Sequence, residues 1–241
     1  MSSEPGDMFD DLIAAHRILV NEKVLDAFGH VSMRDAAHPD RFWLASAKPP
    51  NLVGKADLLS FRLSGEPVER TDLPLFSERY IHSAIYAARP DVRAICHHHA
   101  PAIMPFCLTD RPLAAVSQTG AFLGQSTPLW DSADEFGATR LLVDTPEQAA
   151  SLTRSLGAGS LVLMRGHGAT VAGSSVREVV FKAVYACRDA HAQKEAAMLG
   201  AVKPLSAGEI EKGRVPAVSA VDRCWKYWRA LLSAGGHFEE G

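Results

Sequence analysis

The apolar positions of the chain change period several times, and each change marks an element. Leu12, Ala15, Ile18, Leu19 and Leu25 recur at roughly helical spacing and predict a helix over 7–27. Arg41-Phe-Trp-Leu44 and Asp57-Leu-Leu-Ser-Phe61 are short apolar runs, so 41–75 reads as short strands and turns. A second helix is predicted over 74–88 and is stopped by Pro90. Residues 91–97, Asp-Val-Arg-Ala-Ile-Cys-His, read as a short buried strand. Thr145, Pro146 and Gln148 supply an N-cap, a first-turn proline and a capping-box partner for a helix over 145–156. Ser160-Leu-Val-Leu-Met164 is another apolar strand. Ser175 with Glu178 forms a second capping box, opening a long helix to about Leu199. That helix carries Val176, Val179, Val180, Ala183, Val184 and Cys187 on one face. Arg223-Cys-Trp-Lys-Tyr-Trp-Arg229 reads as a C-terminal helix whose aromatics either pack on the core or wall a neighbouring subunit's site. Helices alternating with short apolar strands predict a layered α/β architecture.

Length and charge narrow the picture. The 241 residues, 1–241, are read as one large domain, since the Pro/Gly clusters (Lys48-Pro49-Pro50, Ser64-Gly65-Glu66-Pro67, Gly157-Ala158-Gly159, Gly235-Gly236) are punctuation and not linkers. Lys+Arg 25 against Asp+Glu 28 gives a net charge of -3, which argues against nucleic acid as a partner. No stretch approaches the roughly 18 apolar residues that span a bilayer, so no membrane partner is expected. The polar, acidic start Met1-Ser2-Ser3-Glu4-Pro5-Gly6-Asp7 lacks signal-peptide character, and a cytoplasmic protein is expected. Cys96, Cys107, Cys187 and Cys224 show no C-x-x-C spacing and read as free, mostly buried thiols.

The ten histidines carry the chemistry. His97 and His99 close a strand, and strand residues two apart point to one side, so both imidazoles can reach one metal ion while His98 points away. A third ligand is offered by Met164-Arg165-Gly166-His167-Gly168, where flanking glycines let the backbone turn tightly after a strand. Glu78, on the 74–88 helix with His82 one turn later, is the candidate acidic partner.

The stretch Leu75-Phe-Ser-Glu-Arg-Tyr-Ile-His-Ser-Ala-Ile-Tyr-Ala-Ala-Arg-Pro-Asp-Val-Arg-Ala-Ile-Cys-His-His-His-Ala-Pro, followed by the His167 loop, resembles the class II aldolase/adducin family over nearly the whole chain. The resemblance implies a three-layer α/β/α domain with a central mixed sheet, and a homotetramer with sites at subunit interfaces. It implies His97, His99 and His167 as metal ligands and Glu78 as the acid/base residue.

Two loops depart from the family's sugar-phosphate branch: Gly29-His30-Val31-Ser32 and Ala45-Ser46-Ala47-Lys48-Pro49. His30 and Lys48 in place of phosphate-cradling residues suit a planar carboxylate. These loops, with Pro101-Ala-Ile-Met-Pro105-Phe106, are similar to the family's decarboxylases, whose substrates carry the departing carboxylate ortho to a ring hydroxyl. The activity implied is decarboxylation of an ortho-hydroxy aromatic or pyridine dicarboxylate, such as 3,4-dihydroxyphthalate, through a metal-stabilised enolate. Glu78 or His30 is the proton donor, His30 and Lys48 hold the spectator carboxylate, and Ser32 donates a hydrogen bond nearby. The divalent cofactor is Zn, Mn, Fe or Co. The alternatives are an aldolase on a small non-phosphorylated or acidic substrate, and a non-catalytic module like the adducin head. The three histidines and the Glu weigh against the module.

Overall fold

A computed structural model describes residues 5–234; residues 1–4 and the Gly235-Gly236 pair lie outside the described residues. The strands are β1 (His30–Arg34), β2 (Arg41–Ala45), β3 (Leu58–Arg62), β4 (Ala94–His98), β5 (Leu129–Trp130), β6 (Leu161–Met164) and β7 (Gly168–Gly173). They form one sheet in the order β3-β2-β1-β4-β7-β6-β5. β5 and β6 pair in parallel and every other pair is antiparallel, so the sheet is mixed. The helices are α1 (Pro5–Asn21), α2 (Arg79–Ala88), α3 (Met104–Cys107), α4 (Ala133–Phe136), α5 (Pro146–Leu156), α6 (Val176–Leu199), α7 (Ala207–Gly213) and α8 (Val218–Ser233). No described helix is long and apolar enough to cross a membrane.

Two apolar clusters, one on each face of the sheet, make the three α/β/α layers. On one face Leu12 and Ile18 of α1, Val180 and Val184 of α6, and Trp225 and Trp228 of α8 pack on Val31, Cys96 and Val171. On the other, Ile81 and Ile85 of α2 and Leu152 and Leu156 of α5 pack on Phe42, Ile95 and Val162. Each fully buried aliphatic side chain contributes about 1.5–3 kcal/mol. Because both faces are covered, β4 and β7 are buried at every position. Side chains alternate across β4, so Ile95 and His97 face the α2 layer, while Cys96 and His98 face the α1/α6 layer. Trp225 and Trp228 are buried in the core, as the packing reading expected, while Tyr227 is exposed. All four cysteines are free, and only Cys224 is not fully buried.

The structure corrects several boundaries. The first helix ends at Asn21 and not 27: Lys23 turns to φ 58, and the Val24 and Leu25 N–H groups both close onto the Leu19 carbonyl. Leu25 is still buried, so its apolar signal is a packed turn and not a helical face. The second helix starts at Arg79 and not 74, which leaves Glu78 as the residue just before it. Thr145 caps α5 as expected, but Gln148 reaches back to the Asp144 N–H and not to that of Thr145. Ser175 caps α6, while Glu178 accepts from the Ser174 N–H at 2.6 Å and pairs with Lys182 at 2.7 Å.

Candidate metal centre and active site

Three elements converge at one end of the sheet, on its α2 side. The end of β4 delivers His97 and, just beyond it, His99. The β6–β7 hairpin delivers His167 in a three-residue turn, Arg165-Gly166-His167, with Gly166 at φ 65. Gly168 follows because a Cβ there would run into the His98 carbonyl and sit 2.8 Å from the His99 ring. The N-terminal approach to α2 delivers Glu78.

The result is a cluster whose four ligand atoms, one each from Glu78, His97, His99 and His167, all lie within 4.8 Å of one another. The Nε2 atoms of His97 and His99 are 2.9 Å apart. Glu78 reaches His97 Nε2 at 3.5 Å and His167 Nε2 at 3.4 Å. Three imidazoles and a carboxylate are the donor set of a divalent transition-metal centre, and the residues fit one. Burial, then the charges of neighbouring imidazoles, lowers His99 and His167 to about 4, so their rings are neutral and offer lone pairs. Burial pushes the Glu78 carboxyl up, but His97 by charge and hydrogen bond, with His167 and His99, outweighs it and holds Glu78 at about 2.

Neighbouring groups orient these side chains. Thr170, paired opposite His97 across β4 and β7, meets His97 Nδ1 at 3.1 Å through its hydroxyl. The segment between α4 and α5 closes the site: the Val143 N–H points to Glu78 Oε1 at 3.5 Å, and Leu141, at φ 63, lies over Gly166. A cleft of about 480 Å³ opens onto the cluster, lined by His99, Met104, Arg140, Leu141, Leu142, Gly166 and His167. Arg140 brings a cation to that cleft, where it is paired with Asp144.

The structure therefore brings together Glu78, His97, His99 and His167. His30 is beside them: it faces His97 across β1 and β4, with ring centroids 5.2 Å apart. Gly29, at φ 87, permits that approach, since a Cβ would lie 2.9 Å from the His97 carbonyl oxygen. Burial, then the charges of His82, His97 and His99, lowers His30 well below 6.5, so the His30 expected to pair with a carboxylate is a neutral ring in this setting. Ser32 is fully buried and its hydroxyl is engaged by His82 at 2.6 Å and Tyr86 at 2.8 Å. Lys48 is held by Asp57 at 2.8 Å and does not line the cleft. His82 does not turn to Glu78 one helical turn away; it bonds His30 and Ser32. The sequence reading missed Thr170, Leu141, Val143 and Arg140. Only strand pairing and loop closure bring them to the site, and no local motif marks them.

A seven-stranded mixed sheet between two helical layers, with a carboxylate and three imidazoles converging at its end, defines an α/β/α protein whose donor set could hold a metal ion. The chain belongs to the class II aldolase and adducin family: residues 10–193 match the class II aldolase and adducin N-terminal domain. Decarboxylase tropJ of Talaromyces stipitatus is 31% identical over 248 residues, covering 93% of each chain. The 3,4-dihydroxyphthalate decarboxylase of Arthrobacter keyseri is 27% identical, covering 70% of this chain and 71% of that one. A crystal structure of an aldolase II superfamily protein from Pseudomonas syringae superposes with TM-score 0.76 at 23% identity, over 98% of this chain and 96% of that one; that likeness speaks for the fold.

Proposed function

We propose that the chain is a divalent-metal-dependent carboxy-lyase that removes CO2 from an ortho-hydroxy aromatic or pyridine dicarboxylate, with 3,4-dihydroxyphthalate as the model substrate. The observation that carries the reading is Glu78 facing three imidazoles at a cleft that also holds a guanidinium. The decarboxylase relatives support the same chemistry.

His97, His99 and His167 would hold the metal, with Zn, Mn, Fe and Co all compatible with the donor set. A bound divalent ion supplies Lewis acidity, drawing off the negative charge that develops on the ring oxygen as the carbon–carbon bond breaks. Glu78 is the proton carrier: its carboxylate takes the ring hydroxyl proton and returns a proton to the ring carbon that CO2 leaves. One proton enters the ring, one carboxylate departs as CO2, and no oxidant is needed. Arg140, at the cleft, binds the spectator carboxylate in exchange for Asp144, while Lys48, paired with Asp57, lies outside the lining of that cleft. Leu141 and Leu142 give the ring an apolar wall and exclude water. The same reading takes residues 1–241 as one domain of a cytoplasmic homotetramer.

The test is CO2 release from 3,4-dihydroxyphthalate and related o-hydroxyaryl and hydroxypyridine dicarboxylates by protein reconstituted with Mn, Fe, Zn or Co. Release that a chelator abolishes supports the reading. An aldehyde from a small hydroxy-carbonyl acid, with no CO2 from any aromatic acid, replaces it with the aldolase reading.

A further inference from the structure

Behind the cluster, four buried side chains form a continuous hydrogen-bonded relay. His30 Nδ1 meets His82 Nε2 at 2.7 Å, His82 Nδ1 meets Ser32 Oγ at 2.6 Å, and Ser32 Oγ meets the Tyr86 hydroxyl at 2.8 Å. None of the four is more than 2% exposed. The remaining nitrogen of His30, Nε2, is sealed from solvent and has no hydrogen-bond partner among the described residues.

The relay has a direction. Ser32 is the one partner of the Tyr86 hydroxyl among the described residues, and a buried O–H that does not donate is costly. With Tyr86 donating to Ser32, the Ser32 hydroxyl donates to His82 Nδ1. His82 Nε2–H then donates to His30 Nδ1, and the proton of a neutral His30 sits on Nε2. The reverse direction leaves two groups unpaired, the Tyr86 O–H and the His30 Nε2 lone pair. The forward direction leaves one, the His30 Nε2–H, on a ring that lies between the tilted rings of Phe76 at 4.5 Å and His97 at 5.2 Å.

We propose that Tyr86, Ser32 and His82 are positioning residues that lock His30 as a neutral Nε2–H donor, and that this N–H binds a substrate carboxylate or phenolate oxygen beside His97. The inference rests on reading the cluster as an active site. It replaces a charged or proton-shuttling His30 with a fixed hydrogen-bond donor, and it turns Ser32 from a substrate contact into a link of the relay.

The tautomer is read directly by long-range 1H–15N correlation on zinc-loaded, 15N-histidine-labelled protein. His30→Gln and His82→Gln variants assign the two rings. Both rings are expected in the Nε2–H form; a proton on Nδ1 of either overturns the relay. Donor function is read by calorimetric binding of 2,3-dihydroxybenzoate to the zinc-loaded protein. His30→Gln, which keeps an N–H, is expected to weaken binding by less than about threefold, and His30→Phe by about tenfold or more. Equal losses in the two variants, no loss in either, or no saturable binding to the parent protein overturns the donor assignment. If no aromatic acid releases CO2 yet the tautomer and binding results hold, the decarboxylase reading fails and the relay stands.

Discussion

Glu78 and Asp189 are both buried carboxylates, 8% and 2% exposed, and they are solvated by the protein in opposite ways. Asp189 on α6 accepts from the Val116 N–H at 2.9 Å and the Ser117 N–H at 3.3 Å, and from the Ser117 hydroxyl. Gly120 leaves room for it, since any Cβ there would collide with the carboxylate. Among the described residues Glu78 has only long contacts, 3.4–3.5 Å to two imidazoles and 3.5 Å to the Val143 N–H. A carboxylate saturated by short bonds from a loop is an anchor. One left under-coordinated between imidazoles has room for a cation. The degree of satisfaction, not burial, separates the structural acid from the chemical one.

That contrast can be broken by substitution. His97→Ala is expected to have the largest effect, with bound metal lost by elemental analysis and CO2 release falling at least about a thousandfold. Full retention of metal would remove His97 from the ligand set. Glu78→Gln keeps the metal but loses its proton carrier, and turnover should fall about 100- to 10,000-fold. Asp189→Ala is the mirror image. Stripping the anchor of the 113–124 loop should cost about 3 kcal/mol, roughly 6–12 °C in Tm, with the metal content of the folded protein unchanged. Metal loss on Asp189→Ala at a temperature where the protein is folded would erase the distinction.

The histidine region also differs in acid. Burial lowers His16 to about 4 and, with the charge of His97, His82 to about 3, against 6.5 in the unfolded chain. Between pH 6.5 and about 4 the unfolded chain therefore binds more protons than the folded one, and stability falls as pH drops through that window. Glu78, held at about 2, acts in the same direction at lower pH, from about 4.5 downward. Urea midpoints of the metal-free protein at pH 7, 5.5 and 4.5 should decline steadily, and a flat series would contradict the neutral, buried state of these rings. The smallest effect is expected at the lip of the cleft. Arg140→Gln should raise KM for a dicarboxylate about tenfold while leaving that for the matching monocarboxylate nearly unchanged. Equal effects on both acids would exclude a spectator-carboxylate contact.

The layered architecture was legible where the periodicity was strong. The capped helices at 146–156 and 176–199 and the strands holding Ile95 and Val162 lie where the pattern placed them. β1 and β7 were not legible as strands. His30-Val-Ser-Met-Arg34 mixes polar residues into a strand buried on both faces, because its polar side chains meet partners on the α2 side and not water. Gly168–Gly173 is a small-residue strand whose burial comes from its neighbours. At the site, H-x-H and the glycine-flanked His167 stood out locally. Glu78 stood out only weakly, as a helix carboxylate one turn before His82, and its acid/base role came from the family resemblance, because one glutamate near a helix start has no signature of its own.

The amino-acid sequence by itself determined the alternation of helices and apolar strands, the helix caps, and the two local devices that carry the histidines. Those depend on contacts a few residues apart, which spacing records. Tertiary structure alone decided that Thr170 stands opposite His97, that Val143 closes over Glu78, and that Ser32 and His82 serve His30. Those relations follow from strand register and helix-on-sheet packing between residues some 50 to 75 positions apart, where spacing carries no information.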